Sequence, residues 1–428
     1  MSLTAALQIF NITRSVVLIF TAILLAKSGI PGSDIGSFES FIFLSTVLSH
    51  FWVTSIIQSL LSLYKNTGTS TFKKSPEIFT AFILLLTYST VLGCCILAAG
   101  KPVMNFFSVD TAPRSALLFT AYLILNNPSF LIEYIFLLRK NPYRMVIYGV
   151  ISYSVQLALV TAPLYLGFSV EASFTGLVIV SVLRFVWLAG MLIRFSAIGI
   201  SGQYLKMHLV TAFPLVLYFI IAGSEEYIGG FILKNNFDSE TFAVYRFGAR
   251  ELPLSLLLAN GLSNALIPSF AQNSDIAGPL MDLKKQTAKL CHIIFPVSAV
   301  LMIFSGQFYP VIFSDQFSGS AAIFNIFLLL AVPRMVFPQT ILLGLRKNGV
   351  LLAAVIIETF VNLATSLILL NYMGITAVAW GVLAGFTAEK AFLILWCSRR
   401  LSIKPSDYIP SVQLSVYCLV LLITYCLG

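Results

Sequence analysis

An all-α, multi-pass membrane architecture made of two parallel halves is what this sequence predicts, on three observations. Hydrophobic residues make up 58% of the 428 residues and charged residues 10%, enough to supply many of the roughly 20-residue apolar runs that cross a bilayer. Windows of that length place about 13 transmembrane helices. Lastly, Leu138-Arg139-Lys140-Asn141 returns as Leu345-Arg346-Lys347-Asn348 at an offset of 207, and at the same offset Leu166-Gly167 answers Met373-Gly374 and Ala172 answers Ala379. Several separated places sharing one period are the mark of a duplicated unit.

In chain order the apolar runs fall at 5–26, 36–63, 78–100, 114–138, 145–167, 174–194, 207–229, 241–270, 287–307, 319–345, 350–371, 377–397 and 411–427. The first six make an N-terminal lobe over 1–200 and the next six a C-terminal lobe over 207–400; residues 401–428 form a linker and an extra helix. The first span lacks a basic leader and a small-residue cleavage site, so no cleavable signal peptide is expected. With the N-terminus in the cytoplasm, sixteen lysines and arginines fall in inside loops, and four, Lys27, Lys101, Arg114 and Lys234, fall outside. The positive-inside rule chooses this orientation. The same bias accounts for most of the net charge of +9 without any nucleic-acid partner.

Every loop is short, so no extramembrane catalytic domain is expected and the function belongs within the bilayer. Cys94, Cys95, Cys291, Cys397, Cys418 and Cys426 lie in apolar spans without metal-ligand spacing, which reads as packing. His50, His208 and His292 sit on different spans and compose no nucleophilic arrangement; His50, midway along the second span, reads first as a hydrogen-bonded structural group and second as a proton-linked one. A phosphate-cradling glycine loop of the Walker type is lacking, so transport would draw on an ion gradient, the membrane potential or the substrate gradient. The expectation is a protein that is not an enzyme and carries no cofactor, with Na+ or H+ as candidate coupling ions.

Six basic residues remain inside or at the edges of spans: Arg14, Arg184, Arg246, Arg250, Arg334 and Lys390. An arginine or carboxylate at mid-bilayer costs about 2.5–3.5 kcal/mol even on the mildest scale, so such groups face a cavity or a partner. Arg14 lies about 13 Å into the first span at 1.5 Å per residue, near mid-depth. Arg246 and Arg250 are four apart on one face of the eighth span, a doublet suited to a multivalent anion. Pro253, just beyond, removes a backbone donor and could kink the helix. Arg334 stands between Pro333 and Pro338, where a broken helix would open backbone groups toward a cavity. Arg184 has a pairing partner available in Glu133, and Lys390 adjoins Glu389, with which it could neutralise itself or from which it could snorkel. Glu133, and Glu358 with Asn362 four residues on, are the candidates for proton or sodium coupling. Glu39 falls opposite Arg246 when the halves are superposed, which makes the pair a candidate outer gate. A charge exchange, Glu39→Arg with Arg246→Glu, is then expected to restore transport lost in either single variant; failure of the double variant to recover counts against the gate.

Two six-span lobes, long second and eighth spans, the run Ser239-Glu240-Thr241-Phe242-Ala243-Val244-Tyr245 leading into the eighth span, and Arg-Lys-Asn turns after the fourth and tenth resemble the polysaccharide exporters. These are the Wzx-type lipid-linked oligosaccharide flippases of the multidrug/oligosaccharidyl-lipid/polysaccharide (MOP) superfamily, and the resemblance covers about residues 1–400. It implies pseudo-symmetric lobes around a central cationic cavity that opens alternately to either side. It further implies that Arg14 and Arg246 or Arg250 meet the lipid pyrophosphate; the cost of a charge in an apolar span adds Arg184, Arg334 and Lys390 as candidate substrate contacts. The implied cargo is an undecaprenyl-pyrophosphate-linked oligosaccharide for O-antigen or capsule synthesis, moved across a bacterial cytoplasmic (inner) membrane among membrane lipids and in the company of polysaccharide polymerase machinery. Glu225-Glu226 stand where the family often has an aspartate, and a thirteenth span departs from its twelve or fourteen.

The physical demands of that cargo agree. A polar sugar and two phosphates must be hidden from lipid while the polyprenyl tail stays in it, and arginine offers planar, permanently charged, bidentate donors to phosphate. Some of the 36 phenylalanines and 17 tyrosines could stack on sugar faces, although ordinary packing is the default for any one of them. The main rival is a cation-coupled multidrug extruder of the same superfamily (MATE-type). A membrane glycosyltransferase, polymerase or ligase would need catalytic loops of some size, and a scaffold that only binds the lipid precursor would not transport it.

Overall fold

The computed structural model describes residues 3–64, 74–99, 113–249, 253–272 and 276–427. Among them the regular elements are helices, joined by one isolated bridge between Ser75 and Ser196. A backbone inside a bilayer must satisfy its own polar groups, and helices do so locally. The chain divides into two compact units, Met1–Gly223 with Phe237–Phe242, and Ser224–Asn236 with Ala243–Gly428.

The first unit contains α1 (Leu3–Lys27), α2 (Gly32–Leu63), α3 (Pro76–Ala99), α4 (Pro113–Ser129), α5 (Leu131–Leu138), α6 (Pro142–Tyr165), α7 (Val170–Phe195) and most of α8 (Gly202–Asn236). Within it α1 packs on α6, and α4 on α3 and α7. Gly149 permits the first contact, because a Cβ there would sit 2.6 Å from the Phe10 ring. Two apolar clusters form. One gathers Phe10, Trp52, Leu85, Leu131, Met145 and Leu188. The other gathers Leu25, Phe41, Ile96, Phe119, Val160 and Phe174, with Phe41 stacked on Phe174 at 4.7 Å and edge-on to Phe119 at 4.9 Å. Between these clusters each of α2, α3, α4, α6 and α7 carries polar residues: Ser49, Ser89, Asn126 and Asn127, Gln156, and Ser181 with Arg184. Asn127 donates to Ser49 at 3.0 Å and Ser89 at 3.2 Å, tying three helices at that level. A polar layer is thus sandwiched between apolar ends.

The second unit follows with α9 (Ser239–Gly248, shared with the first), α10 (Pro253–Gln272), α11 (Ala277–Ile312), α12 (Ser320–Leu329), α13 (Ala331–Arg334), α14 (Pro338–Gly344), α15 (Asn348–Met373), α16 (Thr376–Arg400), α17 (Pro405–Tyr408) and α18 (Ser411–Leu427). Asp238 caps α9 by accepting from the Thr241 amide at 2.8 Å; hydrogen bonds from the Thr241 side chain and amide hold its carboxyl below the usual range. The helices α15 and α16 lie against each other through Gly381 and Gly385, where an added Cβ would stand 2.8 Å from the backbone oxygens of Asn362 and Glu358 respectively. Lipid offers helices no hydrophobic drive to associate, so small residues that allow backbones to approach carry this contact. Gly381→Val is accordingly expected to destabilise the protein by about 1–3 kcal/mol through overpacking, read as a lowered melting temperature in detergent; an unchanged melting temperature would contradict this packing. The last helix, α18, docks on α11, with Tyr417 accepting or donating to His292 at 2.7 Å and stacked on Phe295 at 5.2 Å.

Nine helices among the described residues are long and apolar enough to span a membrane, and a tenth results if Ser320–Arg334 and Pro338–Gly344, bent by 49°, count as one crossing. Of the thirteen expected spans, the eighth, over 241–270, holds α9 and α10, and residues 250–252 between them lie outside the described residues, as do several side chains of the seventh, over 207–229. The thirteenth is a shorter apolar helix, Ser411–Cys426. The turns after α5 and α14 close alike: Lys140 and Asn141 amides bond back to Leu137 and Phe136 oxygens, Arg346 and Lys347 amides to Leu343 and Leu342. Lys140 (φ 51°) and Arg346 (φ 56°) take the left-handed position. By backbone geometry these turns correspond one residue out of step with the Leu-Arg-Lys-Asn match.

Candidate functional site

Within the polar layer of the first unit, charged and polar side chains from five helices converge. Arg184 on α7 is half-buried and has all its described hydrogen bonds to neutral oxygens: Nε donates to Ser152 Oγ at 2.6 Å, one terminal nitrogen to Gln156 Oε1 at 2.7 Å and the other to Asn126 Oδ1 at 3.4 Å. Its guanidinium lies 5.0 Å from the Tyr153 ring centre, a cation–π contact. Ser152 and Gln156 are four apart and so share one face of α6. Arg14, half-buried on α1, lies over the Phe130 ring at 5.5 Å, where α4 breaks into α5 after Pro128. Glu133, buried on α5, and Tyr122 and Tyr153 lie within electrostatic range of both guanidinium groups.

Of the residues singled out by sequence, this cluster therefore unites Arg14, Arg184 and Glu133. Ser152, Asn126, Gln156, Tyr122 and Tyr153 were not foreseen; the signal available was amide and hydroxyl side chains at the depth of Arg184 in otherwise apolar runs. A pocket of about 230 Å³ opens beside it between α6 and α7, lined by Ile151, Ser152, Val155, Leu183, Arg184 and Trp187. Glu39, on α2 of the first unit, is buried.

In the second unit Arg334 ends α13 at the 49° bend, 4.8 Å from the Phe386 ring centre, beside a recess of about 10 Å³ with Ser255, Ser298 and Ala331. Lys390 is ion-paired with its neighbour Glu389 at 2.8 Å, both nearly buried. On α15, Glu358 is buried and Asn362 fully so; Asn362 Oδ1 accepts from Ser366 at 3.1 Å while its Nδ2 has no partner. Arg246, half-buried, lies on α9. Arg250, Glu251 and the side chains of Glu225 and Glu226 lie outside the described residues.

The family described as "Polysaccharide biosynthesis protein" matches residues 48–322. No curated protein matches the sequence. Among solved structures, the lipid II flippase MurJ in an inward closed conformation aligns with a TM-score of 0.70 and 12% identity, over 98% of this chain and 97% of that one. An inward-facing multidrug resistance MATE family transporter of the MOP superfamily aligns at 0.63 and 15% identity, over 94% and 98%. A MOP superfamily transporter from Pyrococcus furiosus, described for the reverse polarity of its binding pocket, aligns at 0.52 and 17% identity, over 94% of each chain. At such identities the likeness establishes a shared fold.

Proposed function

This chain belongs to the polysaccharide biosynthesis protein family and has the MOP-superfamily fold, and from that premise we propose that it is a flippase carrying a polyprenyl-pyrophosphate-linked oligosaccharide from the cytoplasmic to the outer leaflet by alternating access. It is a multi-pass membrane protein; a bacterial inner membrane, a cytoplasmic N-terminus and a role in O-antigen or capsule-type synthesis complete the reading. The observation that carries it is the cluster of Arg14, Arg184 and Glu133 in the polar layer of the first unit. A guanidinium whose hydrogen-bond partners are neutral keeps its charge available to an arriving anion, and a diphosphate is the anionic part of such a lipid.

The lobes are read as 1–200 and 207–400, with 401–428 appended. Arg334, Arg246 and Arg250 are read as further contacts to phosphate or glycan; Lys390, paired with Glu389, would contribute only on exchanging that partner. Asn362, with an unpartnered buried Nδ2, and Glu358 supply polar groups of the kind a coupling ion needs.

The second reading, a MATE-type extruder of organic cations, is favoured by the buried acids Glu39, Glu133 and Glu358 and by the MATE likeness. Proteoliposomes separate the two. Leaflet transfer of a fluorescent undecaprenyl-diphosphate-linked glycan, without gradient-driven export of a cationic dye, is the expected outcome; dye export without glycan transfer would establish the second reading instead.

A further inference from the structure

Helices in corresponding places of the two halves meet differently. In the first unit Asn127 on α4 donates to Ser49 on α2 and Ser89 on α3, so three helices close directly on one another. At the repeat offset of 207, Asn127 answers to Arg334; Ser49 answers to position 256, beside Ser255 on α10, and Ser89 to position 296, two before Ser298 on α11. Here a gap remains. Arg334, Ser255 and Ser298 line the recess of about 10 Å³ at the 49° bend, room for one water-sized body. Ser298 is 1% exposed, and its hydroxyl has no partner among the described residues. A serine in a membrane helix can satisfy itself on the carbonyl four residues earlier, as Ser55, Ser129 and Ser181 do. Ser298 leaves that bond unmade and lines the recess instead.

We propose that the second unit holds one chloride ion at this junction, bound by Arg334, Ser298 and Ser255. A guanidinium only donates, and both hydroxyls are free to donate. No carboxylate is among the described residues lining the recess. Donors converging on a space for one atom, one of them permanently charged, suit a halide and repel a cation. Water would satisfy the hydroxyls and leave the guanidinium charge as it was; an anion answers both, and within an apolar span the charge is the larger cost. A phosphate group has too many atoms for the recess. The chloride site is therefore separate from the cargo, and any contact of Arg334 with cargo is made outside it.

Crystals of the full chain grown in bromide, with diffraction measured at the bromine absorption edge, locate the ion. An anomalous peak between Arg334 and the two serines is expected in the wild type and its loss in Arg334→Gln. In detergent solution, replacing gluconate by chloride at constant ionic strength should raise the melting temperature, because the ion binds the folded state. Ser298→Ala should need about tenfold more chloride for the same rise, having lost one hydrogen bond to a charged group. An ordered water only at the junction, or a bromide peak that persists in Arg334→Gln, overturns the proposal and leaves the flippase reading intact. A melting temperature indifferent to chloride, or a titration that Ser298→Ala leaves unchanged, overturns it as well. The wild-type map alone decides should either variant not fold.

Discussion

Arg184→Ala is expected to unfold or strongly destabilise the protein as well as stop transport. The side chain holds Ser152, Gln156 and Asn126 at 2.6, 2.7 and 3.4 Å, and each hydrogen bond to a charged group contributes about 1.5–3 kcal/mol. Its removal leaves three polar groups short of a partner. Unsatisfied buried polar groups cost about 1–3 kcal/mol each, together a large part of a typical 5–15 kcal/mol stability. A fall in melting temperature and in monodisperse yield checks it. Arg184→Lys retains the charge but not the three-directional fork, so it should recover part of the melting temperature. A stable Arg184→Ala protein would show that the three contacts do not anchor the polar layer.

Arg14→Ala separates binding from folding. Arg14 rests on the Phe130 ring at 5.5 Å, a contact worth about 0.5–2 kcal/mol, and its remaining interactions within the cluster are electrostatic. The melting temperature should therefore change little. Loss of one charge-assisted contact to phosphate, about 1.5–3 kcal/mol, corresponds to a roughly ten- to hundredfold weaker affinity for the diphosphate probe. Arg14→Lys should regain a portion, since a point charge replaces a planar fork. An Arg14→Ala protein that unfolds, or that binds the probe as the wild type does, contradicts this division of labour.

Much of the first-unit cluster was legible because an ionisable residue in an apolar run must be explained: Arg14, Glu133 and Arg184 stand out on cost alone. Their convergence was not legible, since it depends on how α1, α5 and α7 rotate about their axes, and periodicity in spans that are apolar nearly all round does not fix rotation. The neutral partners were missed for a related reason. Ser152 and Gln156 are unremarked in a membrane helix until Arg184 is seen to face them, although their i, i+4 spacing marks one face of α6. Prolines announced the breaks: Pro128 before α5, Pro333 and Pro338 about the bend, Pro253 at the start of α10. At the turns, side-chain identity aligned Leu-Arg-Lys-Asn with itself, whereas the backbone aligns the left-handed residues Lys140 and Arg346.

On the proposed reading, half-buried arginines in the first unit receive the phosphates of a lipid-linked saccharide. Its most direct measurement is the rate at which wild-type and Arg14→Ala proteins, reconstituted at equal density, transfer a fluorescent undecaprenyl-diphosphate-linked glycan between leaflets of proteoliposomes. The wild type should transfer it and Arg14→Ala should do so at least about tenfold more slowly. Equal rates in the two, or no transfer by the wild type, would contradict the account.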